Sequence, residues 1–323
     1  MSDMAKSDIP QGSNAFYDHP ILNSPYECPT RHWELKDGLP TQRIKPVRRP
    51  ADFITPIPKP KKRRGKVEQA SLLTIQDLSS EQEYHKALIN QVRNHVAAWR
   101  ALPPSQWKVS PTTARLLQHW RHHAFSGIRP FFCQVEAVET AIWLTEVAPQ
   151  QKRYQEILEH LKQANDEANS GLPRLALKLA TGAGKTTVMA MLIAWQTLNA
   201  VRSPSTRSFT KGFLVVAPGI TIKDRLRVLQ PNDPDAYYAS RELVPQDMLQ
   251  DLQQARIVIT NYHAFKLREK LKVASGTRAA LEGWRGEQLD TQESEGEMLQ
   301  RVIPELMNLK RVMVITSFAG QGE

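Results

Sequence analysis

Two closely spaced glycines, a lysine and three threonines occur together in the segment LATGAGKTT, residues 179–187. Gly182 and Gly184 can adopt positive φ, which turns successive backbone N–H groups toward one anion. Lys185 is placed to reach the β- and γ-phosphates of ATP, and the Thr186 hydroxyl to hold Mg²⁺. The residues expected to bind the cofactors ATP and Mg²⁺ are Thr181, Gly182, Ala183, Gly184, Lys185, Thr186 (also the metal ligand) and Thr187.

Such a loop needs a strand before it and a helix after it. Residues 177–179 are expected to end a strand, and a helix is expected to begin at Lys185. Apolar side chains occur nearly all round that helix, as in helices packed deeply against a sheet. A glycine-rich turn without a ligand is the alternative, and the expected strand and helix favour the phosphate loop.

Four short aliphatic runs separated by helical or polar stretches predict a parallel sheet covered by helices on both faces, an α/β fold. The runs are RLALKL (174–179), GFLVVA (212–217), RIVIT (256–260) and RVMVI (311–315). In such a sheet, ligands bind at the carboxyl ends of the strands.

The first 70 residues differ in composition, since ten of the 22 prolines precede Lys66. This predicts an extended or irregular, proline-rich basic arm over residues 1–70, then a helical segment over 71–125 and a main domain over 126–323. The basic cluster in PIPKPKKRRGK, residues 56–66, fits either a DNA backbone or a solvated linker. Both interpretations stay open.

The formal charge of +10 and the pI near 9.6 suit a nucleic-acid partner, although a basic balance alone is not specific. Two cysteines are too few for a disulfide framework or a zinc site. His119, His122 and His123 have helical metal-ligand spacing, yet without acidic partners nearby a surface or packing role is favoured. No signal peptide or membrane span is recognised, so we expect a cytoplasmic protein.

Four motifs in this order resemble the N-terminal part of superfamily 2 (DEAD/DEAH-type) helicase-like proteins. The closest resemblance is to the R (Res) subunits of type III restriction endonucleases. The motifs are IRPFFCQVEAVETAIWL (128–144), LATGAGKTT (179–187), FLVVAPGITIKDRL (213–226) and ARIVITNYHAF (255–265). Leu179 replaces the first glycine of the older phosphate-loop form, and ATGxGKT is typical of superfamily 2.

The resemblance implies an ATP-dependent helicase or translocase with a P-loop NTPase, RecA-like fold, a double-stranded DNA partner and a modification methyltransferase subunit. It implies that Gln134 reads the adenine edge. It further implies DNA-backbone contacts by Pro218, Gly219, Thr221, Lys223, Thr260, Asn261 and Tyr262.

The family next requires an Asp-Glu box after a hydrophobic strand, and the chain instead continues from Thr316 as SFAGQGE. We therefore expect a truncated motor without its second motor domain and nuclease, and with little or no ATP turnover. The alternative is a non-catalytic nucleotide- or DNA-binding module that acts with a chain supplying the missing motor half. A small-molecule kinase is disfavoured, since it would need neither the glutamine motif nor the DNA-contact motifs.

Overall fold

The computed structural model describes residues 15–36, 39–51, 87–206, 208–268 and 293–316. The basic cluster of residues 59–66 and the residues after Thr316 lie outside these ranges. The chain forms two compact units: Met1–Lys108 with Phe131–Lys178, and Val109–Pro130 with Leu179–Glu323. The bounds of these two units differ from those of the three segments expected from the sequence.

The described regular structure consists of α-helices, short 3₁₀ and π turns, and two small sheets. The helices are α1 Ala15–Asp18, α2 (residues 87–100), α3 Pro111–His122, α4 Phe132–Ile142, α5 Gln155–Asn169, α6 Lys185–Arg202, α7 Ile220–Arg225, α8 Tyr237–Ser240, α9 Leu249–Leu252 and α10 Glu295–Val302. The strands are β1 His32–Lys36, β2 Leu39–Lys45, β3 Gly212–Ala217, β4 Arg256–Asn261 and β5 Met313–Thr316. Within these ranges, no helix is long and apolar enough to cross a bilayer.

The first unit contains an antiparallel hairpin of β1 and β2 within the arm expected to be extended or irregular. Trp33 of β1 is 7% exposed, and its ring meets that of Phe16 edge-on at 5.6 Å. Strand pairing satisfies the backbone polar groups, and the buried tryptophan holds the hairpin against α1. This part of the arm is extended, as one of the two expected forms, and its strands pair into a regular hairpin.

An ion-pair network links the arm, α2 and α4 in the same unit. Arg48 binds both carboxylate oxygens of Glu136, at 2.7 and 2.5 Å, and the Arg100 Nε lies 2.5 Å from Glu139. Both guanidinium groups lie over the ring of Phe132, at 5.4 and 4.9 Å from its centroid. Burial opposes ionisation of Glu136, but Arg48 and Arg100 outweigh it, so the pKa of this carboxyl lies below its ordinary value.

The second unit contains a parallel sheet of order β4-β3-β5 with helices around it. Phe213 of β3 lies opposite Ile257 of β4 on one side and Met313 of β5 on the other. β3 is the most deeply buried strand, and Phe213, Val215 and Ala217 are 0% exposed. A central parallel strand is covered on both faces, which explains its uninterrupted apolar sequence. Three of the four predicted strands are thus confirmed.

The fourth predicted strand, residues 174–179, is not formed. Residues 172–180 have no regular secondary structure and do not pair with β3, β4 or β5. Leu172 and Leu175 are 50% and 47% exposed. A strand is stabilised only by a neighbour that takes up its backbone hydrogen bonds. The apolar composition of this run was therefore insufficient to predict its structure.

The long helix α6 forms the core of the second unit and packs against α3, α8 and α9. Its side chains are buried almost continuously from Thr187 to Asn199. The Trp195 Nε1 donates to the Thr113 hydroxyl of α3 at 3.1 Å, and the Asn199 amide donates to the same hydroxyl at 2.9 Å. The Ser110 hydroxyl also bonds to the Asn199 side chain. These paired polar groups join α6 to α3 within an apolar core.

Candidate functional site

A tight turn over residues 180–184 leads into α6. The Ala183 N–H donates to the Ala180 carbonyl at 3.2 Å, and Gly182 and Gly184 have φ of 81° and 73°. A side chain is strained at such angles, which is the reason for two glycines here. A Cβ on Gly182 would meet no atom within 4 Å, so the loop is open where it turns. Such a turn is suited to gathering backbone N–H groups around a phosphate.

The first turn of α6 has no side-chain cap. Gly184 is its N-cap residue in the left-handed conformation, and it has no side chain that could accept from the helix N–H groups. Lys185 and Thr186, the first two helical residues, are partly exposed. An uncapped N-terminus carries unsatisfied donors and partial positive charge. Combined with the loop and the lysine, it offers a site for phosphate.

Thr187 differs from the residues before it, because it is 2% exposed. Its hydroxyl accepts a hydrogen bond at 3.0 Å from the Arg241 guanidinium, which follows α8. Thr187 therefore faces the protein, whereas Lys185 and Thr186 remain accessible. Arg241 was not recognised in the sequence, since no local pattern connects it with a residue more than 50 positions earlier.

The two predicted DNA-contact motifs leave the sheet at one edge. The parallel register places Ala217 opposite Asn261, so Pro218 and Gly219 follow β3 where Tyr262 follows β4. The Asn261 side chain accepts from the Ala264 N–H at 3.1 Å and stabilises the turn after β4. This is the strand-end position at which open α/β sheets bind ligands.

Residues 144–301 match the protein family described as type III restriction enzyme, res subunit. The chain carries a domain of this family. The match includes the phosphate loop, β3 and β4, and it assigns a P-loop, helicase-type domain, of the kind found in ATP-dependent restriction subunits. No curated protein and no solved structure matches the chain.

Exposure varies among the strand-edge residues of this res-subunit domain. Tyr262 is 56% exposed, and its ring lies 3.8 Å from that of His263. Lys223 of α7 and Pro218 are exposed, Gly219 is half-buried, and Thr260 is 8% exposed. Thr221 lies in α7, and its side chain is outside the described part of the structure. An aromatic pair and a lysine are suited to a nucleic-acid strand.

Gln134 lies in the other unit, on α4, upstream of the res-subunit match. The residue is 4% exposed, and its side-chain oxygen accepts from the Phe131 N–H at 3.0 Å. The side chain thus caps the N-terminus of its own helix. Its role toward adenine stays a prediction.

Two of the three clustered histidines contact the segment that carries Arg241. The Nε2 of His119 donates to the Glu242 carbonyl at 2.6 Å, and the Nε2 of His123 lies 2.8 Å from the Glu242 carboxylate. Burial lowers the pKa of His119, partly offset by its bond to the Glu242 backbone. The described residues contain no group of three or more His, Cys, Asp or Glu suited to a metal ion. Cys28 and Cys133 are free and exposed.

The residues of the phosphate loop fit a nucleotide and its metal. The open turn at Gly182, the side-chain-free cap at Gly184 and the accessible Lys185 and Thr186 provide donors, charge and one hydroxyl ligand. Mg²⁺ would neutralise phosphate charge there and take the remaining oxygen ligands from phosphate and water. Lys185 would bind the phosphates, and the loop amides would orient them.

Proposed function

We propose that this chain binds a nucleoside triphosphate with Mg²⁺ at the phosphate loop and the backbone of double-stranded DNA at the strand edge. One structural observation carries the proposal. Two glycines with positive φ lead directly into a helix whose N-terminus has no side-chain cap and whose first residue is a lysine. The res-subunit family match supports ATP as the nucleotide.

The DNA part of the proposal depends on the common edge of β3 and β4. Backbone amides after Pro218, the Lys223 ammonium and the exposed Tyr262 are suited to contacts that do not depend on base sequence. The net charge of +10 favours association with a polyanion and makes it salt-dependent.

Binding is proposed here rather than rapid turnover by this polypeptide alone. Phosphoryl transfer needs an acidic residue for Mg²⁺ and one to position water, and no acidic pair directly follows β5 in this sequence. A chain without this acidic pair at that position would bind ATP and DNA with little turnover of its own. Rapid DNA-stimulated phosphate release by the purified chain would contradict this part of the proposal.

The deciding experiment compares two variants in two binding assays. A fluorescent ATP analogue with Mg²⁺ and a labelled DNA duplex are each titrated with the full chain, with Lys185→Ala and with Lys223→Ala. We expect Lys185→Ala to weaken nucleotide binding about 10- to 150-fold, the range of a lost charge-assisted hydrogen bond. Its DNA affinity should be unchanged.

Lys223→Ala should bind DNA more weakly but keep its nucleotide affinity. The slope of the logarithm of its DNA affinity against the logarithm of the salt concentration should fall in magnitude by about one. Lys211→Ala is the matched control, since the exposed end of this side chain bonds to the Gln254 side chain, at 3.4 Å. Equal nucleotide affinity of Lys185→Ala and the unmodified chain would refute the nucleotide site. If Lys223→Ala bound DNA with the same affinity and salt dependence as the unmodified chain, the proposed DNA surface would be refuted.

A further inference from the structure

The Arg241 side chain is hydrogen-bonded directly to α6, the helix that follows the phosphate loop. Its Nη1 donates to the Thr187 hydroxyl at 3.0 Å, and Thr187 lies two residues after Lys185. Because Thr187 is 2% exposed, this bond is shielded from water at the threonine end. Hydrogen bonds to a charged donor are stronger than neutral ones, and shielding strengthens them further.

The guanidinium is held by an aromatic ring rather than by an acid. Its Cζ lies 3.6 Å from the centroid of the Tyr237 ring, and Arg241 has no carboxylate partner among the described residues. The neighbouring carboxylate, Glu242, bonds instead to His123 and to the Ser126 N–H and hydroxyl. Within the described ranges, no carboxylate therefore offsets the positive charge of Arg241 beside α6.

The backbone at Arg241 is fixed from α3. Glu242 has a φ of 49°, unusual for a residue with a side chain, and its carbonyl accepts from His119 at 2.6 Å. The next carbonyl, that of Leu243, accepts from the Trp120 Nε1 at 2.8 Å. A strained residue persists only where its surroundings hold it. The histidine and tryptophan contacts thus fix the position from which the arginine side chain reaches α6.

A buried threonine hydroxyl in a helix can be satisfied by a carbonyl of the preceding turn, without any arginine. Ordering an arginine side chain costs up to about 2 kcal/mol of rotamer entropy, so simple hydrogen-bond satisfaction does not account for it. What an arginine adds is a fixed charge and a rigid donor at the first turn of α6. Those properties suit a site that binds phosphate.

From this arrangement we propose that Arg241 is a positioning residue of the nucleotide site. Through Thr187 it holds the first turn of α6 in place, so that Lys185 and Thr186 present their side chains to the phosphates. Its positive charge, which no carboxylate of the described residues pairs with, raises the local positive potential and favours the nucleotide with more phosphate groups. This inference depends on the proposed nucleotide site and names a residue that selects triphosphate over diphosphate.

The test compares Mg²⁺-ATP and Mg²⁺-ADP affinities of the full chain and its Arg241 variants, at a temperature where circular dichroism shows all of them folded. Arg241→Ala should weaken ATP binding about tenfold, the equivalent of one charged contact, and ADP binding less. Arg241→Lys should recover part of the ATP preference, because it retains the charge. Arg115→Ala is the control, since Arg115 pairs with the exposed Asp247.

Thr187→Val and the double variant Arg241→Ala/Thr187→Val determine whether the arginine acts through Thr187. We expect the double variant to lose no more ATP affinity than Arg241→Ala alone, while Thr187→Ser, which keeps the hydroxyl, recovers most of the affinity lost in Thr187→Val. An unchanged ratio of ATP to ADP affinity in Arg241→Ala, with Lys185→Ala impaired, would overturn the inference and leave the nucleotide site standing. An unimpaired Lys185→Ala would refute both.

Discussion

The two ends of α6 show opposite solutions for the polar groups of one helix. At its N-terminus, Gly184 provides no cap, and Lys185 and Thr186 remain accessible. Toward its C-terminus, Trp195 and Asn199 are buried and hydrogen-bonded to Thr113 of α3. The contrast indicates that ligand binding and stability depend on different turns of the same helix. Substitutions should therefore separate the two properties.

The largest effect is expected at the buried end. Trp195→Ala removes a 2% exposed ring and its bond to Thr113, which should lower the free energy of unfolding by about 3–5 kcal/mol. Denaturant unfolding measures the loss. The shift in melting temperature caused by Mg²⁺-ATP should persist, since stabilisation by a ligand depends on affinity for the folded state. Trp195→Phe, which keeps most of the ring, should cost less.

If Trp195→Ala abolished the ATP-induced shift while the chain remained folded, the separation between the two ends would be wrong. Lys185→Ala provides the opposite pattern, with unfolding nearly unchanged and the ATP-induced shift lost.

An intermediate effect is expected at the open end. Gly182→Ala places a side chain at φ 81°, which costs about 1–2 kcal/mol of stability and disturbs the turn that gathers N–H groups toward phosphate. Gly171, with φ 77° and equally open surroundings, is the matched control. Gly171→Ala should reduce stability to the same extent but leave ATP affinity unchanged, whereas Gly182→Ala should weaken ATP binding at least severalfold. Equal ATP affinities would contradict a role for the loop.

The smallest effect concerns acidification near Arg241. Burial lowers the pKa of His119, so its neutral form is the one stabilised in the fold, and this stability is lost as pH falls below about 6.5. Hydrogen bonds from Ser126 and then from His123 lower the pKa of Glu242, and its contribution is lost at still lower pH, below about 4.3. The free energy of unfolding, measured between pH 7.5 and 4, should therefore decline gradually as the pH falls.

The histidine contribution can be isolated by substitution. His119→Gln retains a donor but does not titrate, so its stability should change less between pH 7 and 5.5 than that of the unmodified chain. His122→Gln, on the exposed side of α3, should keep the original profile. Identical profiles for all three would exclude His119 as the source.

Much of the sheet was predictable, because β3, β4 and β5 are uninterrupted aliphatic runs. The phosphate loop was predictable as well, since glycine and lysine spacing is a local property. Residues 174–179 have a similar composition but no strand partner, and composition does not report pairing. The region of the β1–β2 hairpin had a usable signal in its sequence, the dipeptide Asp37-Gly38, which is typical of tight hairpin turns.

The contacts of the site with its surroundings were not predictable in the same way. The bond between Arg241 and Thr187 joins residues distant in sequence, and the His119–Glu242 contact does the same. Such pairs depend on how α3 and α8 pack around α6, which no local pattern records. The spacing of the histidines indicated only that they share a helix face.

The central position of β3 has a consequence for how the sheet assembles. β3 can pair with β4 as soon as that strand is made, but Phe213 meets its β5 partner, Met313, one hundred residues later in the chain. Contacts so distant in sequence make folding slow. During synthesis, the edge of β3 that later pairs with β5 therefore stays unpaired, which exposes nascent chains to premature association through that edge.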